Sequence, residues 1–280
     1  MKYSAFDKIK AFIISIRPKT TPLGMISVYV GGLVAGATYD SINLLLAVIS
    51  TFFVTAASMM LNDYLDWKID KISHPERPIP KDIIKPKEML IFSIIFLTIG
   101  VVITFFINFL CLGIALSSIL LLVLYEKYSK NVGIFGNFTV AFVSSISFTF
   151  GGAAVGNPLS SLVISIMTFF VMVGREIIMD IRDAEGDKLI RKTVPVQIGK
   201  KRASYIACIF LILAAISTPI PYLMGILNEW YLAIITPVVI ITLIVVIWLL
   251  RDIKNVAISA ELIRAALAIA LVAFIAGILL

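Results

Sequence analysis

Six of the chain's ten aspartates fall in two short segments. The first reads Asn62-Asp63-Tyr64-Leu65-Asp66-Trp67-Lys68-Ile69-Asp70. The second reads Asp180-Ile181-Arg182-Asp183-Ala184-Glu185-Gly186-Asp187, and both carry the spacing D-x-x-D-x-x-x-D. At about 100° per residue, offsets of zero, three and seven share an arc of roughly 60°, so each segment lines three carboxylates along one helix face. Asn62 stands at the edge of the first arc, and Glu176, one turn earlier, at the edge of the second. Like charges on one face repel unless a cation sits among them. Hard oxygen donors, with no His or Cys inside either segment, point to Mg²⁺ or Mn²⁺ rather than zinc. Mg²⁺ takes a few carboxylates and completes its shell with water and substrate phosphate. Two such clusters facing each other would hold two or more ions with a diphosphate between them. A single acidic helix end is as readily a solvated face; the repeated spacing favours the metal.

Cations surround both clusters. Lys68, Lys71 and His74-Pro75-Glu76-Arg77-Pro78-Ile79-Pro80 follow the first, while Arg182 lies within the second and Lys188, Arg191, Lys192, Thr193 and Pro195 follow it. A further polar stretch offers Tyr125, Lys127, Tyr128 and Lys130. Such groups can take the oxygens of a departing diphosphate. Arg77, flanked by proline, and Lys130, preceded by aromatics, are the favoured candidates; most of the others are accounted for by topology. His74, the only histidine, reads as a loop residue.

These clusters must be held by an unusual chain, 60% hydrophobic and 15% charged over 280 residues. Residues 21–61, 89–125, 132–174, 203–250 and 255–280 are almost free of charge. About 20 apolar residues span a bilayer, so four of these runs are long enough for two crossings and the last for one. Turn residues break each double run, at Gly36–Asp40, Ile107–Phe109, Gly156–Ser160 and Gly225–Glu229. The expectation is an all-α polytopic membrane protein with nine transmembrane helices around a central cavity open to the cytoplasmic side. It forms one domain, 1–280, with residues 1–16 as an interfacial amphipathic helix. Helices two and six carry the clusters, which suggests two related four-helix halves with a ninth helix added.

Charge placement agrees. Of 24 Lys and Arg, 23 lie in the N-terminal segment, in residues 62–88, 126–131 and 175–202, or at 251–254. Hairpins bring all these stretches to one face, which the positive-inside rule makes cytoplasmic. The N-terminus is then inside and the C-terminus outside. The exception, Arg264, follows Glu261 by three residues and can pair with it locally. The net charge of +7 therefore describes one membrane face and gives no ground for a nucleic-acid partner. Cys111 and Cys208 lie in apolar runs and read as buried thiols.

At both clusters the sequence resembles the UbiA superfamily of intramembrane prenyltransferases, whose pattern is N-D-x-x-D-x-x-x-D after the second helix and D-x-x-D-x-x-x-D after the sixth. Arg77-Pro78-Ile79-Pro80 and Thr193-Val194-Pro195-Val196-x-x-Gly199 match two further elements of that pattern. The resemblance covers the whole chain. Gly174-Arg175-Glu176-Ile177-Ile178-Met179-Asp180 resembles the archaeal ether-lipid branch, and residues 125–130 lack the proline and P-Q of the 4-hydroxybenzoate branch. The resemblance implies transfer of a geranylgeranyl group from geranylgeranyl diphosphate to the hydroxyl of geranylgeranylglyceryl phosphate, the step that forms the second ether bond of archaeal membrane lipids. It implies Mg²⁺, two or more ions, held by Asn62, Asp66 and Asp70 on one side and Asp180, Asp183 and Asp187 on the other. Tyr64, Tyr125 and Tyr128 would guard a carbocation-like centre. Arg77, Lys130, Arg182, Lys188 and Lys192 would meet the diphosphate, and Arg17, Lys19 and Lys127 the acceptor's phosphate. The hydroxyl proton has several possible takers: Asp63, a spare cluster carboxylate or the released diphosphate. The partners are the two substrates and the bilayer, with no obligate protein partner.

An aromatic acceptor such as 4-hydroxybenzoate is the nearest rival, and the segment after Tyr125 argues against it. A CDP-alcohol phosphotransferase needs D-G-x-x-A-R, which neither cluster supplies. A cation transporter would place its acidic groups near the bilayer midplane, whereas these lie at helix exits beside basic loops.

Overall fold

The computed structural model describes residues 3–18, 20–127, 133–187 and 192–280. Among the described residues it is all helix and irregular loop, with no strand. Helix α1 (Ala5–Ser15) leads into α2 (Thr21–Val34), α3 (Ile42–Ser73), α4 (Pro86–Ile107), α5 (Phe109–Lys127), α6 (Ile134–Ala154) and α7 (Pro158–Asp187). There follow α8 (Val194–Ile198), α9 (Lys200–Ser217), α10 (Ile220–Leu223), α11 (Glu229–Arg251) and α12 (Val256–Leu279). Eight of these helices are long and apolar enough to cross a membrane. The ninth expected crossing is α2, whose 14 residues reach only about 21 Å at 1.5 Å per residue, short of a ~30 Å hydrocarbon core. Its apolar run continues beyond Val34, but Gly36 takes φ +90°, which closes the helix early.

Helices α3 and α7 are the longest, at 32 and 30 residues. Both continue past their apolar stretches, so the two aspartate clusters are carried on helical extensions at one end of the bundle. The hairpins form where turn residues were expected. Between α4 and α5 only Asn108 is extended; its Oδ1 accepts from the Cys111 amide at 2.8 Å and its Nδ2 donates to the Ala153 carbonyl at 2.9 Å.

Helix α1 has a full capping box, Ser4 Oγ accepting from the Asp7 amide and the Asp7 carboxylate accepting from the Ser4 amide. It exposes Phe6, Ile9 and Ile13 and turns Ala11 and Phe12 onto Met60, Ile79 and Met89. Lys8 Nζ reaches Glu88 at 2.7 Å.

Exposed Ile, Leu and Phe run along α4, α5, α9 and α11, a belt that water would penalise and lipid accepts. With no hydrophobic drive between helices in lipid, small residues let backbones close. At the crossing of α2 and α6, a Cβ added to Gly31 would lie 2.0 Å from the Phe148 carbonyl oxygen, and one on Gly151 would lie 1.9 Å from that of Val28. Cys111 and Cys208 are buried and free, and Arg264 does pair with Glu261 on α12.

Candidate active site

The end of α3 gives the members of the first cluster different partners. Asn62 and Asp66 face α5: Asn62 Nδ2 donates to Asp66 Oδ2 at 3.3 Å and to Glu126 Oε1 at 2.8 Å. Asp63 and Asp70 are buried within the same arc of the helix, and arginines meet them. Arg77 lies 2.6 Å from Asp70 and 3.5 Å from Asp63, and Arg17 lies 3.3 Å from Asp63. Arg17 takes a left-handed φ of +54°, a conformation rare outside glycine and asparagine, as the chain turns from α1 toward α2.

At the second cluster, Asn137 near the start of α6 donates through Nδ2 to Asp180 Oδ2 at 2.8 Å. Arg182 grips its neighbour Asp183 through Nε and Nη2 at 2.7 and 2.8 Å, and both are exposed. Arg175 lies 2.5 Å from Glu176. The amide of Gly133 donates to the Lys192 carbonyl at 2.9 Å, fastening the start of α6 to the segment that follows the second cluster.

The tip of α5 joins the two. Glu126 bonds Asn62 of the first cluster, while the preceding Tyr125 lines a small polar pocket together with Asn137, Glu176, Asp180 and Thr193. Two residues adjacent in sequence thus touch clusters more than a hundred positions apart.

Beneath these groups lies an apolar cavity of about 630 Å³. It draws its wall from α2, α3, α5, α6, α7, α9, α11 and α12. Ser58 and Met59 of α3 and Arg175 of α7 stand on its wall, about one turn before Asn62 and Asp180. The opposite end holds Phe148 and Phe274, whose ring centroids are 5.9 Å apart. The arrangement presents a long apolar slot capped by oxygen donors and charge, matched to an amphiphile with a polar head and a long tail.

At the tip of α5 the structure links Asn62 and Asp66 to Glu126 and sets Tyr125 beside Asp180. It places Tyr64 elsewhere: the ring packs with Phe12, Ile16 and Trp67 on the α1–α4 cluster rather than on the cavity wall. That follows from helix geometry, since Tyr64 is about 200° round α3 from Asn62. Arg77 and Arg17 meet carboxylates instead of open space. Lys192 is exposed and contributes its carbonyl to the α6 contact. Tyr128, Lys130 and Lys188 lie outside the described residues, as do the side chains of Lys127 and Asp187. Glu126, Asn137 and Arg175 received no role from the sequence; a buried asparagine in an otherwise apolar run was the one available signal, for Asn137. Among the described residues no three acidic, His or Cys side chains already converge as a ready-made metal centre.

Residues 24–268 match the UbiA prenyltransferase family. A digeranylgeranylglyceryl phosphate synthase of Methanococcoides burtonii is 40% identical over 229 residues, covering 81% of this chain and 81% of that protein. The enzyme of the same name from Methanococcus aeolicus is 34% identical over 278 residues, 98% and 99% of the two chains. A solved structure concerned with digeranylgeranylglyceryl phosphate synthase in membranes superposes with a TM-score of 0.84 at 33% identity, covering 97% of this chain and 98% of that one. A UbiA homologue from Archaeoglobus fulgidus, bound to GPP and Mg²⁺, shares the fold with a TM-score of 0.70 at 20% identity, over 94% and 99% of the chains. The apolar helices, the slot and the two aspartate clusters at its mouth are thus those of a membrane-embedded prenyltransferase, and the chain belongs to the UbiA prenyltransferase family.

Proposed function

We propose that the chain transfers a geranylgeranyl group from geranylgeranyl diphosphate to the free hydroxyl of geranylgeranylglyceryl phosphate, as the name shared by its relatives describes. The observation that carries this reading is the apolar slot of about 630 Å³ ending beneath two oxygen-rich clusters. The tail of the donor lies in the slot and its diphosphate lies between the clusters. The C1–O bond of the allylic diphosphate breaks, the electron pair leaves with the diphosphate, and the acceptor oxygen bonds to C1. The hydroxyl proton passes to a cluster carboxylate or to the released diphosphate.

The donor set suits a hard divalent ion. It is oxygen only, it has Asn62 within hydrogen-bond distance of both Asp66 and Glu126, and at the second cluster the buried Oδ1 of Asn137 has no partner. Mg²⁺ bound by Asn62, Asp66 and Asp70 and by Asp180, Asp183 and Asp187 would offset the charge growing on the leaving group. Asp63, shut in by Arg17 and Arg77, acts as a positioning residue that fixes the end of α3. Arg77 holds Asp70 in the same way. Tyr125, beside Asp180, would offer its ring to a developing allylic cation. The clusters face the cytoplasm, because the basic loops share their end of the bundle.

The test uses purified protein with Mg²⁺ and labelled geranylgeranyl diphosphate, offered geranylgeranylglyceryl phosphate and 4-hydroxybenzoate separately. Metal-dependent ether product from the first acceptor alone, lost in Asp66→Ala and Asp183→Ala, is the expected result. Product from 4-hydroxybenzoate alone would move the enzyme to the aromatic branch. Failure to bind the diphosphate at all would overturn the two-cluster reading.

A further inference from the structure

The wall of the large slot is made of apolar and hydroxyl-bearing side chains, with two exceptions. Among its described lining residues only Arg175 of α7 and Arg264 of α12 carry charge. Both sit inside apolar helices long enough to span the membrane, where an ionisable side chain is costly and marks a cavity or a substrate path. Each belongs to a stripe at helical spacing that faces the slot. Thr168, Val171 and Arg175 form it on α7, and Arg264, Leu267, Leu271 and Phe274 form it on α12. The two helices pack against each other, so the arginines approach the slot from neighbouring walls. Arg264 is also the one basic residue set apart from the polar loops of the chain.

The partners of each arginine leave room for a ligand. Arg175 gives Nη1 to Glu176, whose carboxylate belongs to the small polar pocket beside the second cluster and not to the slot. Arg264 gives Nη2 to Glu261, which is likewise off the wall. A guanidinium carries a planar fork of N–H donors and no acceptor, so one carboxylate leaves most of the fork unused. No carboxylate among the described residues lines the slot. Two charged donor groups on such a wall select an anion over a cation, and the fork suits phosphate in particular. Arg17, a candidate for the acceptor's phosphate by sequence, is instead turned to Asp63 at 3.3 Å.

From these observations we infer that Arg175 and Arg264 hold the phosphate monoester of the acceptor on the slot side of the clusters, and so select a phosphorylated alcohol over a bare one. The inference rests on reading geranylgeranylglyceryl phosphate as the acceptor, and it adds the residues that recognise its head. The glycerol oxygens of that molecule carry the prenyl ether, the phosphate and the free hydroxyl, so the phosphate rides close to the reacting atom. Arg175 stands about one turn before Asp180 on α7. A phosphate held there brings the hydroxyl beneath a diphosphate bound between the clusters. The guanidinium charges also offset the repulsion between the two anions.

The test compares geranylgeranylglyceryl phosphate with geranylgeranylglycerol, the same acceptor without its phosphate, on the purified full-length chain with Mg²⁺ and geranylgeranyl diphosphate. Arg264→Gln should raise KM for the phosphorylated acceptor about tenfold or more, the scale of a lost charge-assisted hydrogen bond. KM for the diphosphate and for the bare alcohol should stay at the parent's values. A merely structural role would raise KM for both acceptors alike, and a role at the donor would raise KM for the diphosphate; either result overturns the inference. Arg175→Lys keeps a cation beside Glu176, so that carboxylate is not stranded, but it loses the fork and should shift KM in the same way. The proposed reaction is judged separately. Ether product with an unchanged acceptor KM in both variants removes only the phosphate site. If the parent makes no ether product, the readout is the rise in melting temperature that geranylgeranylglyceryl phosphate gives beyond geranylgeranylglycerol. A rise lost in Arg264→Gln keeps the phosphate site and removes only the reaction, whereas equal rises with the two ligands remove the site.

Discussion

Asn62 on α3 and Glu126 on α5, 64 residues apart, meet at 2.8 Å. The contact fixes which way the asparagine points. Its amide nitrogen faces two carboxylates, so its carbonyl oxygen is directed away from them. Glu126 therefore sets the orientation of a residue expected to bind metal, as carboxylates commonly do behind metal ligands. Glu126→Gln should lower kcat by about 10–100-fold and raise the Mg²⁺ concentration needed for half-maximal rate. A merely structural role would leave that metal requirement unchanged.

Arg77 is the keystone of the buried charges at the end of α3. Its side chain is 22% exposed, against 5% for Asp70 and 6% for Asp63. Removing one partner of a buried pair costs roughly 3–5 kcal/mol because the remaining charge is stranded. Arg77→Ala should therefore lower the melting temperature in detergent markedly. The double variant Arg77→Ala/Asp70→Asn should recover part of the loss, since it removes a stranded carboxylate; equal melting temperatures for the single and double variants would refute the pairing.

Phe148 and Phe274 line the slot with their ring centroids 5.9 Å apart, and they are expected to limit the length of tail it admits. Phe274→Ala should shift the preference from a twenty-carbon toward a twenty-five-carbon diphosphate, read as the ratio of products from an equimolar mixture. The substitution also removes a buried ring stacked on Tyr231, so a stability loss of about 3–5 kcal/mol is expected alongside.

Gly151→Ala tests the crossing of α2 and α6. The added methyl meets the Val28 carbonyl at 1.9 Å, and backbone has little room to yield. Overpacking of this kind costs about 1–3 kcal/mol, and the variant should melt lower than Gly113→Ala, where nothing lies within 4 Å.

The two clusters, the hairpin turns and the sidedness of charge were legible in the sequence because each is a local pattern: a spacing, a break or a bias. The division of the first cluster was not. Asp63 and Asp70 share an arc with Asp66, and the arginines that meet two of them, Arg17 and Arg77, are delivered by other elements. Asn137 escaped for the same reason, since its partner Asp180 is 43 positions away. The ninth crossing is not confirmed at α2, where hydropathy continues through Ala35-Gly36-Ala37 while the helix ends at Val34. Tyr64 was assigned by residue type alone, and the helix angle sends its ring to α1.

The backbone contact of Gly31 with Phe148 and of Gly151 with Val28 has a consequence for how substrates come and go. It joins α2 to α6 so closely that the two backbones touch, which resists a rocking of one helix against the other. Carriers work by such rocking, opening a midplane site first to one side and then to the other. Where that pair stays closed, donor and product are expected to reach the slot from the bilayer without such rocking. Turnover should then depend on the thickness and fluidity of the surrounding lipid more than on any large change of shape in the protein.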